Sequence, residues 1–167
     1  LYKYASKLGV TLFSTPFYET AVDLLEELNT PAYKVASFEL TDIPLIKYIA
    51  SKKKPIILST GMSSEEEIKE ALNAILEEKN DQIILLHCIS SYPAPVEKSN
   101  LHQMTNISNK FDVITGLSDH TLGTTISITA VALGAAVIEK HFTLDKTMFG
   151  WDHKVSCCLL YTSDAAD

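Results

Sequence analysis

Short runs of apolar residues return along this chain at a nearly constant interval: "VTLFST" (10–15), "AYKVAS" (32–37), "PIILST" (55–60), "QIILLHCIS" (82–90), "DVITGLSDH" (112–120) and "AAVIEKHF" (135–142). Within each run the apolar residues follow one another instead of alternating with polar ones, which is the pattern of a strand buried on both faces. Helical patterns fill the intervals: "YETAVDLLEEL" (18–28), "IPLIKYIASK" (43–52), "SSEEEIKEALNAILEE" (63–78) and "TTISITAVAL" (124–133), with a weaker one late in 91–111. In the third of these, Ser64 followed by Glu67 forms a capping-box pattern, and acidic residues crowd the first turn, where the helix dipole favours them. Strand starts lie roughly 22 to 30 residues apart, the length of one strand, one helix and their loops. The spacing predicts an α/β fold of parallel strands joined by helical crossovers.

A doubly wound open sheet and a (β/α)₈ TIM barrel both satisfy that pattern, and the placement of polar residues separates them. Ser14 and Thr15, Lys34 with Ser37, Ser59 and Thr60, Ser90 with Tyr92, Ser118 with His120, and Glu139 with His141 all close a strand. An open sheet concentrates its chemistry at one switch point, whereas a barrel gathers it from the C-terminal ends of many strands. The expectation is a TIM barrel, truncated, with about six of its eight strand–helix units present and two missing from the front. Residues 1–156 are assigned to this partial barrel. The tail 157–167, "CCLLYTSDAAD", continues no period and is expected to be non-native or disordered.

Composition narrows the function. A formal charge of −7 and a pI near 5.2 argue against nucleic-acid binding, and Lys52, Lys53 and Lys54 form the sole basic run. An acidic chain that takes an anion needs a locally positive pocket. No apolar stretch reaches the roughly 18 residues needed to span a bilayer, and the first residues hold no signal-peptide pattern, so a cytoplasmic protein without membrane contact is expected. Cys88 sits in an apolar run, and the adjacent Cys157 and Cys158 are poorly placed to bridge each other, so no disulfide framework is expected.

Strand parity organises the candidate chemistry. Glu139 and His141 share one face of an extended chain, with Lys140 on the other, and Ser118 and His120 share a face in the same way. On neighbouring strands the two imidazoles would stand side by side. Two His with nearby carboxylates and open positions suit an exchangeable divalent metal such as Mn²⁺, because a structural zinc site wants four N or S ligands. The plainer alternative is two loop histidines with ordinary hydrogen bonds. Lys34 lies inside an apolar strand, where an ammonium is costly unless it meets an anion or becomes neutral. It is read as a phosphate or carboxylate clamp or a Schiff-base nucleophile, against a strand-entry lysine reaching solvent. Ser59, Ser90 and Ser118 are individually turn residues; as a ring they would offer hydroxyls to phosphate oxygens.

The segments "STPF" (14–17), "YKVASFEL" (33–40), "PIILSTGM" (55–62), "LLHCISSYPAP" (85–95), "GLSDHTLG" (116–123), "ALGAAVIEKHFTLD" (132–145) and "DHKVS" (152–156) resemble, in order, the sialic acid synthase family, the phosphoenolpyruvate-dependent nonulosonate synthases. The resemblance implies a TIM barrel that condenses phosphoenolpyruvate with an N-acylated mannosamine-type sugar to give a nonulosonate and phosphate. By matching positions, His120 and His141 would bind the metal. Thr15, Lys34, Ser37, Ser59, Ser90 and Ser118 would hold phosphoenolpyruvate, Tyr92 and Asp152 would meet the sugar, and Glu39 and Glu139 would be the acidic residues at the reacting centre. Mn²⁺ is the implied ion, with Mg²⁺ or Co²⁺ as alternatives, and a homodimer is the implied state of the full-length protein. "ASFELTDIPLIKYIASK" resembles the pseudaminate branch and "DHKVS" the N-acetylneuraminate and legionaminate branch, so the sugar stays open between them. Two other readings stand beside this one: an aldolase forming an imine at Lys34, and an inactive fragment with exposed sheet edges.

Overall fold

The computed structural model describes residues 1–158, so all but the first two residues of the tail read as non-native or disordered, 159–167, lie outside the described residues. The chain divides into two compact units, Leu1–Leu85 and a second from Leu86 onward. The first contains α1 (Tyr2–Lys7), α2 (Glu19–Glu27), β1 (Tyr33–Val35), a 3₁₀ turn (Ser37–Thr41), α3 (Ile43–Ser51), β2 (Ile56–Ser59), α4 (Glu65–Glu77) and the start of β3 (Ile83–Cys88). The second contains the end of β3, then α5 (His102–Phe111), β4 (Ile114–Asp119), α6 (Thr125–Ala132), β5 (Val137–Lys140), β6 (Phe142–Thr143) and β7 (Cys157–Cys158). The sheet order is β1-β2-β3-β4-β5, so strand order follows chain order, as successive helical crossovers require.

In the first unit the sequence pattern is realised from the second apolar run onward. All three residues of β1 are buried, as are Ile56 and Leu58 of β2, and the aliphatic side chains among them, Val35, Ile56 and Leu58, each contribute about 1.5–3 kcal/mol through removal from water. The Ser64 hydroxyl accepts from the Glu67 N–H at 3.2 Å while the Glu67 carboxylate accepts from the Ser64 N–H at 2.7 Å, completing the capping box of α4. Asp42 caps α3 by accepting from the Leu45 N–H at 3.1 Å. Buried Asn80 donates to the Lys54 carbonyl at 2.9 Å and accepts from the Gln82 N–H at 3.1 Å, fixing the entry to β3.

The first apolar run departs from expectation. Of residues 10–15, only Ser14 pairs, through a single parallel bridge to Tyr33, where the Ser14 carbonyl accepts from the Lys34 N–H at 3.2 Å. Pro16 follows at once and has no N–H with which to extend a ladder, and Val10 and Phe13 remain exposed. The six strand positions are therefore one bridge and five strands.

In the second unit, Leu101, Met104, Leu117, Ile126 and Ala130 form one apolar cluster under β4 and β5. These strands pair parallel with Gly116 opposite Val137, Ser118 opposite Glu139, and Asp119 opposite Lys140. The last apolar run breaks at His141, between β5 and β6, and the His141 carbonyl accepts from the Cys157 N–H at 2.8 Å, which places β7 beside β6. Buried His87 donates from Nε2 to the Ser99 carbonyl at 2.8 Å, and burial lowers its pKa below the ordinary 6.5. The unfolded chain therefore binds the proton first, so stability is full above pH 6.5 and declines as the pH falls through that value towards the lower folded one. Urea unfolding between pH 7 and pH 5 should show this slope, and His87→Gln should remove its share; an unchanged slope in the variant would exclude His87 as its source. Among the described residues no helix is long and apolar enough to cross a membrane.

Candidate functional site

Two groups of polar side chains stand where strands end, one in each unit. In the first, Lys34 is 7% exposed, and its ammonium donates to the Val35 carbonyl at 2.8 Å and to the Ser59 hydroxyl at 2.7 Å. Lys34 and Ser59 are thus joined across β1 and β2, whose register puts Lys34 opposite Ile57. The Ser37 hydroxyl accepts from the Gly61 N–H at 3.1 Å, tying the 3₁₀ turn after β1 to the turn after β2. Glu39 lies in that 3₁₀ turn, and its Oε2 is buried with no hydrogen-bond partner. A carboxylate oxygen stripped of water and left without a donor is costly, which marks Glu39 as a group available to a ligand. Thr15 is half-buried beside the Ser14 bridge.

In the second unit the parity argument holds in three dimensions. The Ser118 hydroxyl donates to Glu139 Oε1 at 2.6 Å and lies 3.4 Å from His120 Nε2. The His120 and His141 rings are 5.6 Å apart between centroids and inclined at 62°. Tyr92 packs on both, 4.0 Å from the His120 ring and 5.5 Å from that of His141. Ser118, His120, Glu139, Lys140 and His141 line a cavity of about 230 Å³. Ser90 is half-buried two residues beyond β3, and exposed Asp152 brings Oδ2 to 3.8 Å from His141 Nδ1.

The hydrogen bonds decide what these groups can do. His120 Nδ1 lies 2.8 Å from the Ile89 carbonyl, which can only accept, so Nδ1 is the donor of that hydrogen bond. A backbone carbonyl fixing one ring nitrogen while the other faces a cavity is the outer support usual for a metal-binding imidazole. Two imidazoles with Glu139 and Asp152 near them form a sparse donor set, and among the described residues no three metal-ligating side chains cluster as a ready cage. Such a set fits an exchangeable hydrated ion and not a structural zinc. Tyr92 has its phenol pKa raised by burial and by the neighbouring Cys88, Glu139 and Asp152, so it remains a hydrogen-bond donor at neutral pH.

Sequence reasoning missed Asp119. Its side chain is wholly buried and meets Lys140 at 2.8 Å. Burial pushes its carboxyl up, but hydrogen bonds from Lys140, Ser127 and Thr121 outweigh that and hold it below the usual carboxylate range. An aspartate inside the apolar run 112–120, with a lysine inside the next, was the signal available.

Comparison with known proteins places the chain. Residues 1–160 match the NeuB family. The N,N'-diacetyllegionaminic acid synthase of Campylobacter jejuni is 50% identical over 155 residues, covering 92% of this chain and 46% of that protein. The pseudaminic acid synthase of Helicobacter pylori is 45% identical over 148 residues, covering 89% and 44%. Among solved structures, the spore coat polysaccharide biosynthesis protein spsE of Bacillus subtilis superposes with a TM-score of 0.90 at 39% identity, covering 93% of this chain and 44% of that one. The chain spans about half the length of the relatives it matches. These similarities bear out the truncated (β/α)₈-barrel class expected from the placement of polar residues at the strand ends.

Proposed function

This chain belongs to the NeuB family, and from that membership we propose that it carries part of a nonulosonate synthase, condensing phosphoenolpyruvate with an N-acylated mannosamine-type sugar. The observation that carries the reading is the His120–His141 pair, 5.6 Å apart, beside the Ser118–Glu139 hydrogen bond. His120 and His141 would hold a divalent ion, Mn²⁺ by the donor set. Bound there, the ion supplies Lewis-acid polarisation of the sugar's open-chain aldehyde oxygen.

The chain's own residues do the rest. Lys34, held by Ser59, provides the local positive charge that an acidic chain needs to bind the phosphoenolpyruvate anion, with Ser37, Ser59, Ser90, Ser118 and Thr15 as hydroxyl donors. C3 of the enolpyruvate forms the new bond to the aldehyde carbon, and the aldehyde oxygen takes up a proton. Water adds at C2, and the C2–O bond to phosphate then breaks. By the positions that match the family, Glu139, which lines the cavity, would accept the proton of that water, and Glu39, with its orphan oxygen, would be the second carboxylate for proton transfer. Tyr92 and Asp152, both beside His141, suit the sugar hydroxyls.

Phosphate release from phosphoenolpyruvate by the protein, expressed from its complete reading frame, tests this with Mn²⁺ and a panel of N-acylated amino sugars. Release dependent on one sugar is the expected result and decides between the legionaminate, pseudaminate and neuraminate branches. Release with none, or borohydride trapping of substrate on Lys34, overturns the proposal, since the synthase chemistry passes through no imine.

A further inference from the structure

Lys140 and Asp119 stand opposite each other on β5 and β4, one residue along from the Ser118–Glu139 pair. The Lys140 ammonium donates to Asp119 Oδ2 and to the Thr121 carbonyl, both at 2.8 Å. Asp119 Oδ1 accepts from the Thr121 N–H at 2.8 Å and hydroxyl at 2.7 Å, and Oδ2 also accepts from the Ser127 hydroxyl of α6 at 2.5 Å. Four donors occupy the carboxylate, whose side chain is wholly buried, while that of Lys140 is 13% exposed.

The positions give the network its meaning. Asp119 and Thr121 flank His120, and Glu139 and His141 flank Lys140. One ammonium therefore holds the Asp119 carboxylate and the Thr121 carbonyl, on either side of His120 in the chain, from the residue that precedes His141. A buried ion pair is a weak source of net stability, because desolvation offsets its attraction and apolar replacements are often neutral. Where such a pair matters, it matters for register: a slip of one residue between β4 and β5 would turn every side chain to the other face. We propose that Asp119 and Lys140 are positioning residues that hold His120 and His141 at the separation of one divalent-cation site. This rests on the metal role proposed above for the two imidazoles.

Three variants test it: Lys140→Met, Lys140→Arg, and the double replacement Asp119→Leu with Lys140→Met. Each is followed by thermal unfolding, by Mn²⁺ titration, and by the metal-free imidazole ¹⁵N spectrum of His120. The parent should show one Nδ1–H tautomer. Lys140→Met should show a mixture and bind Mn²⁺ about tenfold more weakly, the usual cost of losing an outer-shell partner. The double variant should return to the parent's thermal midpoint without recovering affinity or the single tautomer, and Lys140→Arg should retain both. Parental Mn²⁺ affinity and a locked His120 in the double variant would reduce the pair to a structural role and overturn the proposal. If the parent binds no Mn²⁺, the metal reading fails by itself, and the metal-free spectrum still decides whether the pair positions His120.

Discussion

His141→Ala is expected to abolish measurable Mn²⁺ binding and to lower turnover by about a thousandfold, equivalent to ~4 kcal/mol in the barrier, while leaving the fold intact. The separation of effects follows from the surroundings of the ring. His141 is 34% exposed, sits between strands, and lies 3.8 Å from exposed Asp152, so truncation opens no core cavity. The stability change should stay within about 0.5 kcal/mol. His120→Ala should cost the metal equally but destabilise as well, because that ring is buried, anchored to the Ile89 carbonyl at 2.8 Å, and packed against Tyr92. Isothermal titration with Mn²⁺ and urea unfolding of both variants separate these outcomes. Parental affinity in His141→Ala would remove this residue from the site.

What the sequence makes legible here is whatever period and parity determine. Continuous apolar runs locate the five strands, and Ser64 with Glu67 locates the start of α4, because these signals are local. Parity alone puts Glu139 with His141 and Ser118 with His120, and the Ser118–Glu139 hydrogen bond agrees. Register lies beyond reach, since nothing local states that Asp119 stands opposite Lys140 and not one residue along. The Asp119–Lys140 contact was invisible for that reason, although each residue is an anomaly in an apolar run. The first run was over-read because its apolar residues satisfy a strand pattern, yet Pro16 limits the ladder and leaves a bridge at Ser14. Glu39 was singled out by resemblance; its orphan oxygen, a property of packing, needed coordinates.

Gly116→Ala should be severely damaging. A Cβ at this position would stand 2.1 Å from the Val137 carbonyl oxygen, 2.9 Å from its carbon, and 3.0 Å from a Leu86 methyl. A flexible side chain could yield, but the first two obstacles are backbone, in the β5 residue directly opposite Gly116. Relief requires β5 to move away from β4, which strains the Ser118–Glu139 and Asp119–Lys140 contacts two and three residues further along. The expected loss is about 3 kcal/mol or more, in the range of severe overpacking, together with Mn²⁺ affinity. Gly9→Ala is the control: its φ of +68° makes alanine strained, but nothing lies within 4 Å, so the cost should be about 1 kcal/mol with the metal site untouched. Urea unfolding of the two variants measures the difference. A Gly116→Ala protein within 1 kcal/mol of its parent would mean that β4 and β5 can separate freely, and a site that depends on their register could not then be held by it.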